Sequence, residues 1–305
     1  HRSGVSTAPS PAHRGAALPP VSVIVAAKNA SRTVEACLRS ILDVDYPDLE
    51  ILLADDASTD DTADIARRLG VRVLDAGGIG PAYGRNLAVK HARGALVAFT
   101  DADCTVPRHW LRALVPVFDD PAVGAGGGPH RNVFAPDVSP RDAEAIEAFF
   151  RAASPVADSS RHDARRRAVP HNASCNSIYR REAFEAVGGF NTGFRPGQDA
   201  EPDYRVTGGG WESDYVPSVP GGPPRSGGAV WLAGMMRRYG WGQGTLVRWY
   251  GPFRKMDFVP PLVLVGVLLQ LGLFVPGARA AVLALDVVGL VGAVTHFARH
   301  VTPRL

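Results

Sequence analysis

Lysine is almost absent from the chain. Lys28, Lys90 and Lys255 are the only three among 305 residues, and arginine carries the remaining positive charge of a formal net balance of only +3. So slight an excess argues against a nucleic-acid binder, which presents a dense basic face. Cysteine is equally scarce: Cys37, Cys104 and Cys175 are odd in number, widely spaced and without a Cys-x-x-Cys pair or a nearby histidine cluster. That favours a reducing compartment over a disulfide framework and speaks against a zinc site. Residues 1–20 lack any apolar block and are rich in Ala, Pro and Ser, so they are expected to form a disordered leader and not a signal peptide.

What is present is an alternation of two periodicities. VSVIVAA (21–27) is a continuous β-branched run of the kind that forms a strand covered on both faces. From Thr33 to Leu42 the apolar spacing turns helical, with Val34, Cys37, Leu38 and Ile41 on one face and Ser31 available as N-cap. EILLAD (50–55), VRVLDA (71–76) and ALVAFT (95–100) read as further strands, separated by helices over 61–69 and 81–92. Such alternation with short connections predicts an α/β fold, a mostly parallel sheet with helices on both faces. Ligands of these sheets sit at the carboxyl ends of the strands, where Asn29, Asp55, Asp56, Asp101 and Asp103 all fall.

Beyond residue 105 the pattern loosens. A helix is expected near 108–118, a strand within GAGGGP (124–129) and a helix near 140–152. Residues 154–173 carry Arg161, Arg165, Arg166 and Arg167 in a polar stretch that reads as a solvated loop, with a lid or an anion contact as the sharper alternative. Two apolar runs, 258–276 and 280–298, each approach the roughly 20 residues needed to cross a bilayer. Arginines on their outer flanks predict a C-terminal helical hairpin, residues 251–305, with both ends in the cytoplasm. Gln270 and Asp286 weaken the two spans, and helices packed on a soluble domain are the competing reading.

The chemistry concentrates in AFTDADC (98–104). Two carboxylates one residue apart repel each other unless a divalent cation takes their oxygens as ligands. Mg²⁺ or Mn²⁺ commonly does so through one or two carboxylates and completes its shell with water and substrate phosphates, which points to a nucleotide diphosphate. Alone the Asp-x-Asp pair is a weak signal, since such pairs are common in turns. Asp55-Asp56-Ala57-Ser58-Thr59-Asp60 ends another parallel strand and offers acceptors for a base or ribose edge, with helix capping by Thr59 or Asp60 as the plain alternative. Arg85, entering a helix, can meet a diphosphate in fork geometry.

Taken in order, VSVIVAAKNASRTVEACLRSIL, EILLADDASTDDT, GPAYGRNLAV and ALVAFTDADC resemble the opening of a family 2 glycosyltransferase of the GT-A fold. The likeness continues through CNSIYRREAFEAVGGFN (175–191), GQDAEPDYRV (197–206) and RRYGWGQG (237–244), covering roughly residues 20–250. The resemblance implies an inverting transfer of a sugar from a UDP- or GDP-sugar to an acceptor hydroxyl, with a divalent metal and a GT-A domain over 21–250. It puts Ala26 and Lys28 at the base pocket, Asp55 on the base, Arg85 near the diphosphate and Asp101 toward the ribose and metal. Asp103 takes the metal, and Asp199 matches the catalytic aspartate, although Asp199 and Glu201 on their own read as a surface acidic turn.

The chain departs from the family pattern at Ala26, Lys28 and Ala30, where Pro, Tyr and Glu are frequent, and at Gln198, where Glu is usual. The stretch VPSVPGGPPRSGG (216–228) has no histidine to complete a metal shell, and His130 and His171 are weak substitutes. Tyr239, Trp241, Trp249 and Tyr250 fit either an acceptor platform or an interfacial belt. The leading expectation is a membrane-associated bacterial hexosyltransferase whose catalytic domain faces the cytoplasm and whose acceptor is a saccharide or lipid-linked glycan of the cell surface. A catalytically reduced scaffold in a glycan-assembly complex is the alternative, and a nucleotidyltransferase is a more distant third.

Overall fold

The structure, a computed structural model, describes residues 18–129, 133–134, 138–153, 167–169, 172–194, 201–216 and 224–225, with single positions or pairs between 198 and 249. The chain divides into two compact units, His1–Thr245 and Leu246–Leu305. The predicted hairpin in the second lies outside the described residues, as do residues 1–17. Among the described residues no helix is long and apolar enough to cross a membrane.

Among the described residues, ten strands and seven α-helices follow in the order β1 (Val21–Ala27), α1 (Val34–Leu42), β2 (Leu49–Asp55), α2 (Thr62–Arg68), β3 (Arg72–Asp75), α3 (Pro81–His91) and β4 (Leu96–Asp101). Then come α4 (Trp110–Leu114), β5 (Val123–Gly127), β6 (Val133–Phe134), α5 (Pro140–Ala153), β7 (Arg167–Ala168) and β8 (Ser177–Arg180). The described elements close with α6 (Arg181–Ala186), α7 (Glu201–Gly208), β9 (Glu212–Tyr215) and β10 (Pro224–Arg225). One sheet of eight strands has the order β3-β2-β1-β4-β8-β5-β9-β7, and β10 pairs with β6 in a small second sheet. β8 runs antiparallel to β4 and β5, and β7 antiparallel to β9, while the other pairings are parallel.

Burial on both faces explains the continuous apolar strands. Val23, Val25, Leu53 and Ala98 pack with Val34, Leu38 and Ile41 of α1, Ile65 of α2 and Trp110 and Leu114 of α4. Ile24, Leu52, Ala54, Val97 and Phe99 face the other way, onto Ala82 and Ala88 of α3, Phe184 of α6 and Val206 of α7. Side chains that alternate between two helical layers cannot tolerate a slip of one residue, so the register is strongly fixed.

Three expectations are corrected. The helix near 108–118 is α4 followed by a 3₁₀ turn, Val115–Asp119, because Pro116 has no N–H to continue an α-helix. Ser31 does not cap α1: its N–H is donated to Asp60 Oδ2 at 3.0 Å, and Thr33 occupies the cap position without a side-chain bond to the helix, its hydroxyl donating back to the Ala30 carbonyl at 3.3 Å. Residues 154–173 are not solvated loop throughout, since Arg167–Ala168 pairs with β9 and Asn172 is buried. Residues 154–166, Arg161, Arg165 and Arg166 included, and residues 170–171 lie outside the described residues.

Candidate active site

Register brings the first carboxylates together. Across β1, Ala27 pairs with Asp55 of β2 on one side and Ala26 pairs with Asp101 of β4 on the other. The two acids thus end the strands flanking β1, and half-buried Ala26 lies between them with only a methyl group as side chain.

The loops after β1 and β2 are laced into one wall. Asn29, in the left-handed region at φ 50°, accepts the Thr59 N–H on Oδ1 at 2.8 Å and donates its own N–H to Ser58 Oγ at 2.9 Å. The Ala30 N–H reaches Thr62 Oγ1 at 2.7 Å. Neither Thr59 nor Asp60 caps α2, whose cap position is Asp61 without a side-chain bond. Asp60 instead accepts the Thr62 hydroxyl, the Thr62 N–H at 3.0 Å and the Ser31 N–H, and these bonds, the hydroxyl's foremost, hold its carboxyl well below the usual range. Exposed Lys28 stands over this wall with Nζ 3.4 Å from Asp56 Oδ2, while Asp56 Oδ1 accepts the Gly80 N–H at 2.8 Å.

Asp55 is asymmetric. Its Oδ2 accepts the Ser58 N–H at 3.3 Å, but its Oδ1 is buried without a hydrogen-bond partner. Leaving a buried acceptor bare costs about 1–3 kcal/mol, so this oxygen is suited to receive an N–H from a ligand.

The Asp-x-Asp pair divides into two environments because a turn separates its members. The Cys104 N–H returns to the Asp101 carbonyl at 2.9 Å, closing a β-turn over buried Ala102 and exposed Asp103. Asp101 is bound by Arg85 of α3, whose Nη2 lies 2.7 Å from Oδ1. Arg85 itself is only 6% exposed, stands 5.3 Å from the Phe190 ring centroid and keeps a buried Nε–H unbonded. Asp101 and Asp103 together with burial push the nearby Cys37 thiol up to about 12, burial contributing most. An exposed carboxylate at a site of surplus negative field suits a hard divalent cation that brings its own water and phosphate ligands.

Asp199 lies outside the described residues, as do His130 and His171. Gln198 beside it is half-buried. Glu201 corrects the surface-turn reading: it is 1% exposed, begins α7 and pairs with Arg205 one turn on, at 2.6 Å to Nε and 2.7 Å to Nη2. Arg205 also donates to the carbonyls of Val187 and Gly189. Next to Gly189, Phe190 exchanges two hydrogen bonds with the Asn86 side chain, 2.8 and 2.7 Å, on the helix that carries Arg85. A continuous polar chain therefore links the start of α7 to the arginine on Asp101. The Glu-to-Arg spacing of four residues is the sequence signal that could have found its first link.

A second anchor of α7 had no visible signal. Asp203 is fully buried and accepts from Tyr179 Oη at 2.5 Å, from Ser213 Oγ at 3.3 Å and from both the backbone and side-chain amides of Asn172. Burial raises its pKa to about 6 against the opposing pull of these donors. Asn172 in turn packs on Gly127 at the end of β5 so tightly that a Cβ there would meet its Cβ at 2.5 Å. Trp241 is 69% exposed, consistent with either reading of the aromatic run.

Known proteins resemble this chain in sequence and fold. The sequence model of Glycosyl transferase family 2 matches residues 22–188. A relative, the glycosyltransferase AglE of Haloferax volcanii, is 27% identical over 216 residues, 68% of this chain and 67% of its own length. The UDP-Glc:alpha-D-GlcNAc-diphosphoundecaprenol beta-1,3-glucosyltransferase WfaP of Escherichia coli is 39% identical over 87 residues, and the match spans only 35% of its length. Among solved structures, the mannosyltransferase PcManGT of Pyrobaculum calidifontis in complex with GDP-Man and Mn²⁺ is 26% identical with a TM-score of 0.59, covering 92% of this chain and 81% of that one. GalNAc-T7 with UDP, GalNAc and Mn²⁺, at 17% identity and a TM-score of 0.53 over 68% of this chain and 43% of its own, shares the fold. With more than half of its residues matched by that family's sequence model and its carboxylates set at the ends of β2 and β4, the chain belongs to Glycosyl transferase family 2.

Proposed function

We propose that this protein transfers a sugar from a nucleotide-diphosphate donor to an acceptor hydroxyl with inversion at the anomeric carbon. The observation that carries the reading is the pair of strand-end acids flanking β1, one with a bare buried oxygen and the other clamped by Arg85. The bare Asp55 Oδ1 receives an N–H of the base, with Ala26 and Lys28 lining the pocket. Asp101 faces the ribose, and Arg85 offers its spare N–H toward the diphosphate. GDP-Man in the mannosyltransferase complex supports a GDP-sugar, and a UDP-sugar is supported equally by the glucosyltransferase relative.

Asp103, with Asp101, would hold Mg²⁺ or Mn²⁺, which when bound neutralises charge on the departing diphosphate. In the reaction itself the acceptor oxygen bonds to the anomeric carbon as the bond to the diphosphate breaks, and the acceptor proton passes to the carboxylate of Asp199. Arg85 stabilises the charge that builds on the leaving group. Both anchors of α7, Glu201–Arg205 and Asp203, bear on the helix that begins two residues after that base. We place the reaction at the cytoplasmic face of the cell membrane, with residues 251–305 as an apolar anchoring hairpin and a saccharide or lipid-linked glycan of the cell surface as acceptor.

The test is sugar-nucleotide turnover by the full chain and by its Asp103→Ala and Asp199→Asn variants. Both variants are expected to lose turnover, and unchanged turnover in either removes its assigned role. Absence of nucleotide-diphosphate binding at millimolar concentration with Mn²⁺ present would favour the scaffold reading.

A further inference from the structure

The three cysteines, scattered through the sequence, converge on one point. Cys37 Sγ donates to the Asp101 carbonyl at 3.4 Å, and Cys104 sits at the end of the β-turn that Asp101 opens. Cys175 lies in the 3₁₀ turn before β8, where its carbonyl accepts the Thr100 hydroxyl at 3.0 Å. All three thiols are free and buried. The Sγ atoms of Cys104 and Cys175 and a carboxylate oxygen of Asp101 all lie within 4.8 Å of one another. Ligand atoms around a tetrahedral zinc-class ion stand about 3.3–3.8 Å apart, given bonds of about 2.3 Å to sulfur and about 2.0–2.2 Å to oxygen, so the three need only a small contraction.

We propose that Asp101, Cys104 and Cys175 form a site for a thiophilic divalent cation of the zinc and cadmium class, adjoining the hard-cation position and sharing Asp101 with it, with Cys104 Sγ donating to Asp103 Oδ1 at 3.5 Å. Thiolates select such ions, whereas Mg²⁺ and Mn²⁺ prefer oxygen. Three protein ligands leave a fourth position open to water on the side where Asp101 meets solvent, its side chain being 34% exposed. Each thiol gives up its proton to solvent as its sulfur bonds the cation, so two protons leave per ion. The backbones that carry the two sulfurs are held by the Cys104 N–H on the Asp101 carbonyl and by the Thr100 hydroxyl on the Cys175 carbonyl. Because Arg85 holds Oδ1 of the same carboxylate, a bound cation would share Asp101 with the guanidinium and draw on the negative charge that pairs with it. Occupancy would then loosen the arginine at the strand end and slow any reaction that depends on it.

The site stands whether or not the chain is a transferase, and its test reads the metal directly. Cadmium ion alone is titrated into the full, metal-free chain while sulfur-to-cadmium charge-transfer absorption and proton release are followed. One equivalent of cadmium should saturate the band with two protons released, and excess Mg²⁺ should not displace it. The band should vanish in Cys104→Ser and in Cys175→Ser, persist in Cys37→Ser, and need about tenfold more cadmium in Asp101→Asn. Absence of the band in the unaltered chain, its survival in either of the first two variants, or its dependence on Cys37 would overturn the proposal. Thermal melts establish that each variant is folded, and Cys104→Ala and Cys175→Ala carry the same test if a buried serine is not tolerated.

Discussion

Arg85 meets Asp101 with its Nη2 2.7 Å from Oδ1, and both Arg85 and the Phe190 ring against it are buried, so the ion pair is dry on one side and wet on the other. Arg85→Lys keeps the charge but not the fork that can hold a carboxylate and a phosphate at once. Turnover in that variant is expected to fall about 100-fold while the melting temperature drops by only a few degrees; steady-state kinetics with a thermal melt checks both.

Asp55→Asn separates ligand recognition from folding. The asparagine carbonyl still accepts the Ser58 N–H, but its amide replaces the bare acceptor at Oδ1 with a donor. Donor affinity should weaken by about 1–3 kcal/mol, roughly fivefold to 150-fold, with stability unchanged. Calorimetric titration with nucleoside diphosphates supplies the number.

Removing Arg205 and removing Glu201 should not be equivalent. Arg205→Ala takes the guanidinium away from a 1% exposed carboxylate, which costs about 3–5 kcal/mol. Glu201→Ala is milder, because Arg205 retains the carbonyls of Val187 and Gly189. Urea unfolding of the two variants reads the difference directly.

Asp203 makes stability depend on pH. Its folded pKa, about 6, lies above the ordinary 3.8, so the folded state binds the proton more tightly. Its contribution is complete below pH 3.8 and is lost as the pH rises through 6. Asp203→Asn cannot ionise, and should gain stability relative to the unaltered chain by on the order of 3 kcal/mol between pH 4 and pH 7. Chemical denaturation at several pH values measures this; a pH-independent difference would contradict it.

Gly127→Ala tests the packing beneath α7. The added carbon would meet the Asn172 side chain at 2.5 Å and the Asn176 carbonyl at 2.6 Å, and the second of these is backbone. A loss of about 1–3 kcal/mol is expected by thermal unfolding.

The parallel strands were legible because burial on both faces leaves a continuous β-branched run, and β1, β2 and β4 match the expected segments to within a residue or two. The acids at their ends were legible because ligands gather there. Glu201 was misread because an acid after a Gly/Pro-rich loop is ordinarily solvated, and only the tertiary fold buries it. The Asp203 network joins residues from three separate segments, Asn172, Tyr179 and Ser213, none of which carries a motif. The cysteines were hidden for the same reason, since metal-ligand spacing is sought along the chain and theirs exists only across the sheet.

The unbroken register of β1 with both neighbours turns the sheet into a ruler. Strands lie about 4.8 Å apart, so the backbones bearing Asp55 and Asp101 are held about 10 Å from each other by main-chain hydrogen bonds alone. No side-chain substitution alters that span. An enzyme engineer wishing to change which molecule fits between the two acids must therefore work on the loops and on the small residue at position 26, because the graduations themselves are cut into the backbone.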